Sequence, residues 1–355
     1  MKSRIVIDAR MVDPVGHGIG NYVQDLAVGL KTMNLPYEPV FLVNTVNRHM
    51  PCFEGHACET VEAAFLSLKE LTSLPRVLKM LKADLYHSPS FSSLWSSPCP
   101  HTVTIHDLNH LRFGGLAKKV YYRVLLKRFA IRAEIITTVS DFSKKEISRW
   151  LKGCAKEIRV VMNSIHLPGV NAANAAQTLK KRQLVADGFF FALANDKPHK
   201  NQAMLIEAYT LYRKNTESPW PLVLPKVYGP AVEGVITTGP LSPEELSQLM
   251  HTCGAFLFPS IYEGFGRPPV EAAMSGARVL VSDIEPHREG LEGVPEVKFI
   301  NATDENAWAL AMTSAMNAAI KKPSRGSMQH LAEKYRLHQL AEAMHEVYLD
   351  CLNLK

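Results

Sequence analysis

No stretch of the 355-residue chain reaches the roughly 18 consecutive apolar residues that cross a bilayer, so no membrane-spanning helix is expected. The start, MKSRIVIDAR, holds only a short apolar run before Asp8, less than the apolar region of a signal peptide, and a cytoplasmic location is the expectation. Cysteine is scarce. The six residues, Cys52, Cys58, Cys99, Cys154, Cys253 and Cys351, show neither C-x-x-C nor finger spacing, which argues against a disulfide framework or zinc ribbon and fits reduced thiols. No D-x-D occurs and no His/Cys/carboxylate cluster has ligand spacing, so neither a divalent metal nor a cofactor is expected. The dinucleotide fingerprint G-x-G-x-x-G is also missing, because Gly16, Gly18 and Gly20 run on into Asn21, Tyr22 and Val23.

What is present describes a folded chain too long for one ordinary core. An apolar content of 46% with 21% charged residues argues against disorder, and the length argues for two domains. The net charge of +6 is uneven: residues 1–165 hold 22 Lys/Arg against 14 Asp/Glu, the remainder 18 against 20. A basic first half suits an anionic surface or ligand, such as phospholipid head groups, pyrophosphate or nucleic acid, and equally a solvated positive face.

RIVIDAR (4–10), PVFLVN (39–44), DLYHS (84–88), HTVTIHD (101–107) and EIITTVS (134–140) read as strands. The segment after MVDPVGHGIG, with Tyr22, Val23, Leu26, Ala27 and Leu30 at helical spacing, reads as a helix, as do about 60–82, 116–133 and 143–152. The stretch IHLPGVNAANAAQTLKKRQL starts irregularly enough for a linker. The alternation then restarts with strands in FFFALAN, PLVLPKVYG, GVITTG, GAFLFPS and RVLVSD, and helices at 200–213, 243–252 and from Pro268. The expectation is α/β: two Rossmann-like domains with parallel sheets, residues 1–167 and 168–330, and a C-terminal helical segment, 331–355, able to cap either domain, packing back on the first being one option. Ligands of such sheets sit beyond the carboxyl ends of the strands.

One stretch there is rich in chemistry. In FPSIYEGFGRPPVEAAMSG a strand ends near Ser260, Gly264 and Gly266 free the backbone, and Pro268-Pro269 suit a first helical turn. The helix start attracts anions through its dipole and unpaired N–H groups, so a diphosphate is the natural guest. Glu271, about one turn in, can accept hydrogen bonds from ribose hydroxyls, and Glu263 lies on the other side of the turn. Alone, a Glu pair at this spacing reads as acids stabilising a helix dipole; the joint pattern favours a ligand.

That pattern resembles the E-x7-E signature of retaining glycosyltransferases of family 4, also called group 1, which have the GT-B fold of two facing Rossmann-like domains around a central cleft. The resemblance spans nearly the whole chain: IDARMVDPVGHGIGNYVQDL is similar to the family's first strand and glycine loop, HSPSF and TVTIHDL to its HSP and HDL segments, TTVSDFSKKEI to its VSxFS segment, VVMNSI to its interdomain segment, and NDKPHKNQAMLIEAY to its N-x-x-P-R-K-N.

The resemblance implies that Glu271 binds ribose and Glu263 the donor sugar, with the main chain of Gly264, Phe265 and Gly266 against sugar and diphosphate. Lys200 then neutralises the diphosphate, a point charge suited to a leaving group. Asn195 opens the same motif, and His199 replaces the usual arginine, serving as a cation only when protonated. In the N-terminal half, the His106 side chain would touch the donor's 6-hydroxyl and its carbonyl the anomeric centre, with Asp107 beside it; Gly18 and Gly20 would admit diphosphate and acceptor. A metal-independent, retaining front-face reaction is implied, the N-terminal domain binding the acceptor, and domain closure excluding water. The motifs are most similar to the mannosyl branch, giving GDP-mannose as the expected donor and a glycan or polyprenyl-linked acceptor of a surface polysaccharide; UDP-hexose or dTDP-rhamnose would use the same motifs.

Two rival classes are weaker. An oxidoreductase lacks both the completed glycine fingerprint and an acid ending the second strand, where Asn44 stands; a nucleic-acid-binding protein lacks aromatic-rich or zinc signatures. Two basic, apolar segments, LAKKVYYRVLLKRFAIRAE (116–134) and LKELTSLPRVLKMLKADL (68–85), read either as interfacial helices on anionic lipid or as core helices with solvated basic rims.

Overall fold

The computed structural model describes residues 2–13, 18–65, 67 and 69–353. The chain divides into two compact units, one running through Ser164 and regained from Tyr335 onward, the other Ile165–Lys334.

In the first unit seven strands form one sheet in the order β3-β2-β1-β4-β5-β6-β7, parallel throughout: β1 Ser3–Asp8, β2 Tyr37–Val43, β3 Ala57–Thr60, β4 Leu85–Ser88, β5 His101–Thr104, β6 Ile136–Thr138 and β7 Ile158–Val160. Alternation along β1 shows why both faces are covered. Ile5 and Ile7 enter a core completed by the Gly18–Lys31 helix and by Leu340, Ala341, Met344 and Tyr348 of the Leu337–Leu352 helix. Val6 faces the opposite core, with Leu74, Val103, Leu126, Phe129 and Ile147.

The second unit carries six parallel strands in the order β10-β9-β8-β11-β12-β13: β8 Phe190–Ala192, β9 Leu222–Leu224, β10 Val235–Thr237, β11 Ala255–Phe258, β12 Val279–Ser282 and β13 Lys298–Ile300. Phe190 and Ala192 pack with Leu205, Tyr209 and Trp308 on one face. Phe191, on the other, meets Phe256 edge-on at 5.9 Å between ring centres. In both sheets the strand order reverses once, between β1 and β4 and between β8 and β11, and the carboxyl ends of strands at such a reversal are where open α/β sheets bind ligands.

Several helices differ from the sequence expectation. The helix expected over 60–82 starts at Glu70, behind strand β3. The segment read as a linker contains the helix Ala172–Lys181, capped by Asn171, whose side chain accepts from the Ala173 and Asn174 amides. The 116–133 segment is helical with one π turn, Tyr122–Leu126, between Leu116–Tyr121 and Lys127–Arg132. Gly18 and Gly20 lie in the first turn of a helix and not in a loop, and residues 14–17 ahead of them, with Gly16, lie outside the described residues.

Candidate active site

In the second unit the expected residues converge where the strand order reverses, because β8 and β11 are sheet neighbours and their following loops are stitched together. The amide of Ile261 donates to the His199 carbonyl at 2.8 Å. Asn201, left-handed at φ 57°, donates its amide to the carbonyls of Pro259 (3.2 Å) and Ala302 (2.7 Å). Asparagine tolerates this conformation better than other branched or bulky residues, so the last residue of the N-x-x-P-H-K-N segment serves as a clamp. Asn195 closes a turn by accepting from the Lys197 amide at 3.1 Å, and His199 is buried.

Lys200 ends a short 3-10 turn, Pro198–Lys200, and its ammonium lies 2.5 Å from Glu263 Oε1 and 5.1 Å from the centre of the Phe258 ring. Glu263 is only 14% exposed at its side chain. Burial by itself pushes its carboxyl up, but the charge and hydrogen bond of the Lys200 ammonium outweigh it and hold the group below the ordinary carboxylate range. Glu263 is therefore an anion at neutral pH.

Gly266 caps the Arg267–Met274 helix at φ 86°, and Pro268 stands in its first turn. Pro268 and Pro269 carry no N–H, so the donors at this helix start are those of Gly266, Arg267 and Val270, fewer than an uninterrupted turn would present. Gly264, Phe265 and Gly266 are all buried, so the turn is packed into the edge and any approach to it is to its main chain. Glu271, one turn in, accepts from Arg267 Nε at 3.3 Å.

Two residues that sequence reasoning did not single out complete this edge. His287 is fully buried; its Nδ1 donates to the Ser282 carbonyl at 2.9 Å, and its Nε2 has no hydrogen-bond partner. Burial lowers it to about 4, against the opposing pull of Glu263, so the ring is neutral. A Cβ on Gly266 would lie 2.7 Å from its Cδ2, so this close approach as well as the positive φ requires glycine. The second is Arg267, whose spacing of four from Glu271 is legible in GRPPVE.

In the first unit, His106 follows β5. Its Nε2 donates to the Pro89 carbonyl at 2.9 Å, Tyr22 packs edge-on to its ring at 4.9 Å, and its own carbonyl accepts from the Ser143 hydroxyl at 2.9 Å. Asp107 accepts from the Asn109 amide at 2.8 Å, closing the turn into the next helix. Gly20 is buried and Gly18 borders open space. The structure thus assembles Lys200, Glu263, the Gly264–Gly266 turn and Glu271 at one edge of the second unit, and holds His106, Asp107, Gly18 and Gly20 at the strand ends of the first. Among the described residues no group of three or more His, Cys, Asp or Glu could hold a metal ion.

Two parallel-sheet α/β units with this site at the reversal point define the GT-B class of glycosyltransferases. Residues 16–167 match the family described as Glycosyltransferase Family 4 and residues 231–334 that described as Glycosyl transferases group 1, and the chain belongs to this family. It is similar to the O-antigen chain mannosyltransferase RfbU of Salmonella typhimurium, 28% identical over 225 residues covering 59% of each chain. It is also similar to the O-antigen chain mannosyltransferase B of Escherichia coli, 29% identical over 231 residues covering 58% of this chain and 59% of the relative. The match thus spans about three fifths of these relatives' length. Among solved structures, the sucrose-phosphate synthase of Thermosynechococcus elongatus superposes with TM-score 0.73 at 15% identity, covering 99% of this chain and 100% of that one. The HepE protein of Anabaena in complex with UDP and glucose follows at TM-score 0.71 and 17% identity, covering 98% and 99%.

Proposed function

We propose that the chain is a retaining glycosyltransferase that moves mannose from GDP-mannose to a glycan or polyprenyl-linked acceptor in surface polysaccharide synthesis. The observation that carries this reading is the Lys200–Glu263 pair at 2.5 Å beside the glycine turn that opens the Arg267–Met274 helix. A cation for a leaving diphosphate, an anion for sugar hydroxyls and main-chain N–H groups between them meet at one strand edge. The similarity to O-antigen mannosyltransferases supports the choice of sugar; the base and the acceptor rest on the motif resemblance.

In this reading Lys200 exchanges part of its bond to Glu263 for the diphosphate. Glu263 then accepts from the donor sugar's hydroxyls, and Glu271 shares its carboxylate between Arg267 and the ribose. The acceptor hydroxyl attacks the anomeric carbon on the face from which the diphosphate departs. The new glycosidic bond forms, the bond from that carbon to the phosphate oxygen breaks, and the acceptor's proton passes to the departing oxygen. The protein supplies position and charge, with no carboxylate nucleophile of the glycosidase type. Lys200 and helix-start donors carry the charge neutralisation, so activity survives EDTA.

The test is thermal stabilisation by a panel of nucleotide sugars, followed by NMR of the product's anomeric configuration. GDP-mannose gives the largest shift and the product keeps the donor's configuration. A larger shift with UDP-hexose or dTDP-rhamnose reassigns the donor, and an inverted product or a strict metal requirement defeats the mechanism.

A further inference from the structure

Twelve large apolar side chains are exposed on the described surface, and five of them lie on or against one element, the helical run from Leu116 to Arg132. Tyr122, Leu126, Phe129 and Ala130 bury its inner face in the first unit's core. A core helix with a solvated rim would turn polar side chains outward. Here the outer face presents Leu116 (79% exposed), Val120 (50%), Val124 (53%) and Ile131 (37%), spaced by four, four and seven residues. Trp95 adds a fifth, 53% exposed, with the Arg128 guanidinium 4.3 Å from the centre of its ring. The element is apolar on both sides, and only one side has a partner.

The charge around the stripe says what covers it. Between Asp107 and Glu134 the sequence has seven Lys/Arg and no Asp or Glu. Lys118, Arg123 and Arg132 are exposed, and among the described residues no carboxylate pairs with them. A second copy of this chain docking face to face would set two such clusters together with nothing to neutralise them. Nucleic acid would use the cations but gain little from Leu116, Val120 and Val124, since its chains are bound by phosphate contacts and base stacking on aromatics. An interfacial helix with aliphatic residues and a tryptophan among lysines and arginines matches the head-group boundary of an anionic bilayer, where the aliphatic groups enter the acyl region and the cations meet lipid phosphates.

We propose that the outer face of residues 116–132, with Trp95, is a docking surface for an anionic lipid bilayer, lying on the membrane without spanning it. Among the described residues no helix is long and apolar enough to cross one. The surface belongs to the first unit alone and makes no use of the Lys200–Glu263 edge, so a failure of the donor assignment leaves it untouched.

The experiment is co-sedimentation of the full chain with vesicles of phosphatidylcholine alone and of phosphatidylcholine mixed with phosphatidylglycerol, at low and high salt. The chain pellets with the mixed vesicles, does so less at high salt, and stays in solution with phosphatidylcholine. Lys118→Gln and Arg123→Gln each weaken partitioning about fivefold, the effect of one surface charge. The combined Leu116→Ser, Val120→Ser, Val124→Ser variant weakens it by about tenfold or more, with melting temperature unchanged because the three side chains are exposed; if it unfolds, the two charge variants carry the test. Equal pelleting with both lipids, none with the anionic one, or partitioning that neither set of variants changes overturns the proposal. So does displacement by single-stranded RNA with the serine variant unaffected, which marks a general polyanion site.

Discussion

Glu263 stands where two demands on a carboxylate oppose each other. Burial favours its neutral form, while the Lys200 ammonium at 2.5 Å favours the anion, and the latter wins. Ionised at neutral pH, Glu263 has no proton to give and only accepts hydrogen bonds, which suits it to hold hydroxyls. Glu263→Ala lowers kcat by about 100-fold or more, because in the proposed reaction its contact is to the reacting sugar, whereas Glu271→Ala raises KM about tenfold with kcat little changed; steady-state kinetics with varied donor separates them, and the reverse split undoes the assignment. Lys200→Ala damages both parameters. His287 yields a different prediction. Its folded value of about 4 lies below the ordinary 6.5, so between these two the unfolded chain binds a proton that the folded chain refuses. Its contribution is fully present above about 6.5 and is lost as pH falls toward 4, by about 3 kcal/mol at about 1.4 kcal/mol per pH unit. Urea unfolding of wild type and His287→Asn at neutral and acid pH reads this: wild type loses its advantage on acidification, and parallel curves refute the account. Lys200, Glu263 and Gly266 were legible in the sequence because their motif spacing is distinctive. His287 was not, since nothing in SDIEPHREG distinguishes a histidine under the glycine turn from a solvated one.

At the scale of elements, legibility followed burial. The interior strands are largely buried even where polar residues such as His87, Thr102 and Thr137 interrupt them, and all of them were readable. The three strands that were missed, β3, β7 and β13, are edge strands, three or four residues long and largely half-exposed, with Glu59, Arg159 and Lys298 inside them. An edge has one neighbour and needs no continuous apolar signal. The Leu337–Leu352 helix illustrates a further limit: periodicity says that a face is buried but not against what. Its partner is the Gly18–Lys31 helix, which it approaches so closely that a Cβ on Gly29 would lie 2.5 Å from Ala341 Cβ. Gly29 costs helix propensity, and it is the close crossing that repays the loss. Gly29→Val therefore destabilises the first unit by about 2 kcal/mol or more through overpacking, and Ala341→Gly in the same chain recovers part of it. Chemical denaturation of the single and double variants gives the coupling; strictly additive effects would show that the two positions do not meet.

At the scale of the whole molecule, the chain crosses between units and returns. The last helix follows Lys334, the end of the second unit, yet its side chains complete the first. Leu340, Ala341, Met344, Val347 and Tyr348 fill one face of the first sheet. Polar ties fix the register: Tyr348 Oη lies 2.7 Å from His87 Nδ1, His345 Nδ1 lies 2.9 Å from Tyr37 Oη, and Arg159 pairs with Asp350 at 2.5 Å. His87 is held neutral by burial, at about 3, so the tie to Tyr348 is a hydrogen bond between uncharged groups and persists through the physiological range. Truncation after Lys334 consequently harms the unit that is distant in sequence and spares the adjacent one. Removing five buried apolar side chains, each worth about 1.5–3 kcal/mol except the smaller alanine, lowers the melting of the first unit by on the order of 10 °C or more. The second unit, whose core around Phe190, Tyr209 and Trp308 draws on none of residues 335–355, keeps its own melting and the stabilisation proposed above for a nucleotide sugar. Calorimetry of the truncated and full chains, with and without GDP-mannose, resolves the two transitions. A truncation that abolishes the nucleotide-dependent shift while leaving the other transition in place would mean that the terminal helix supports the second unit, and that the division of the chain drawn from its packing is wrong.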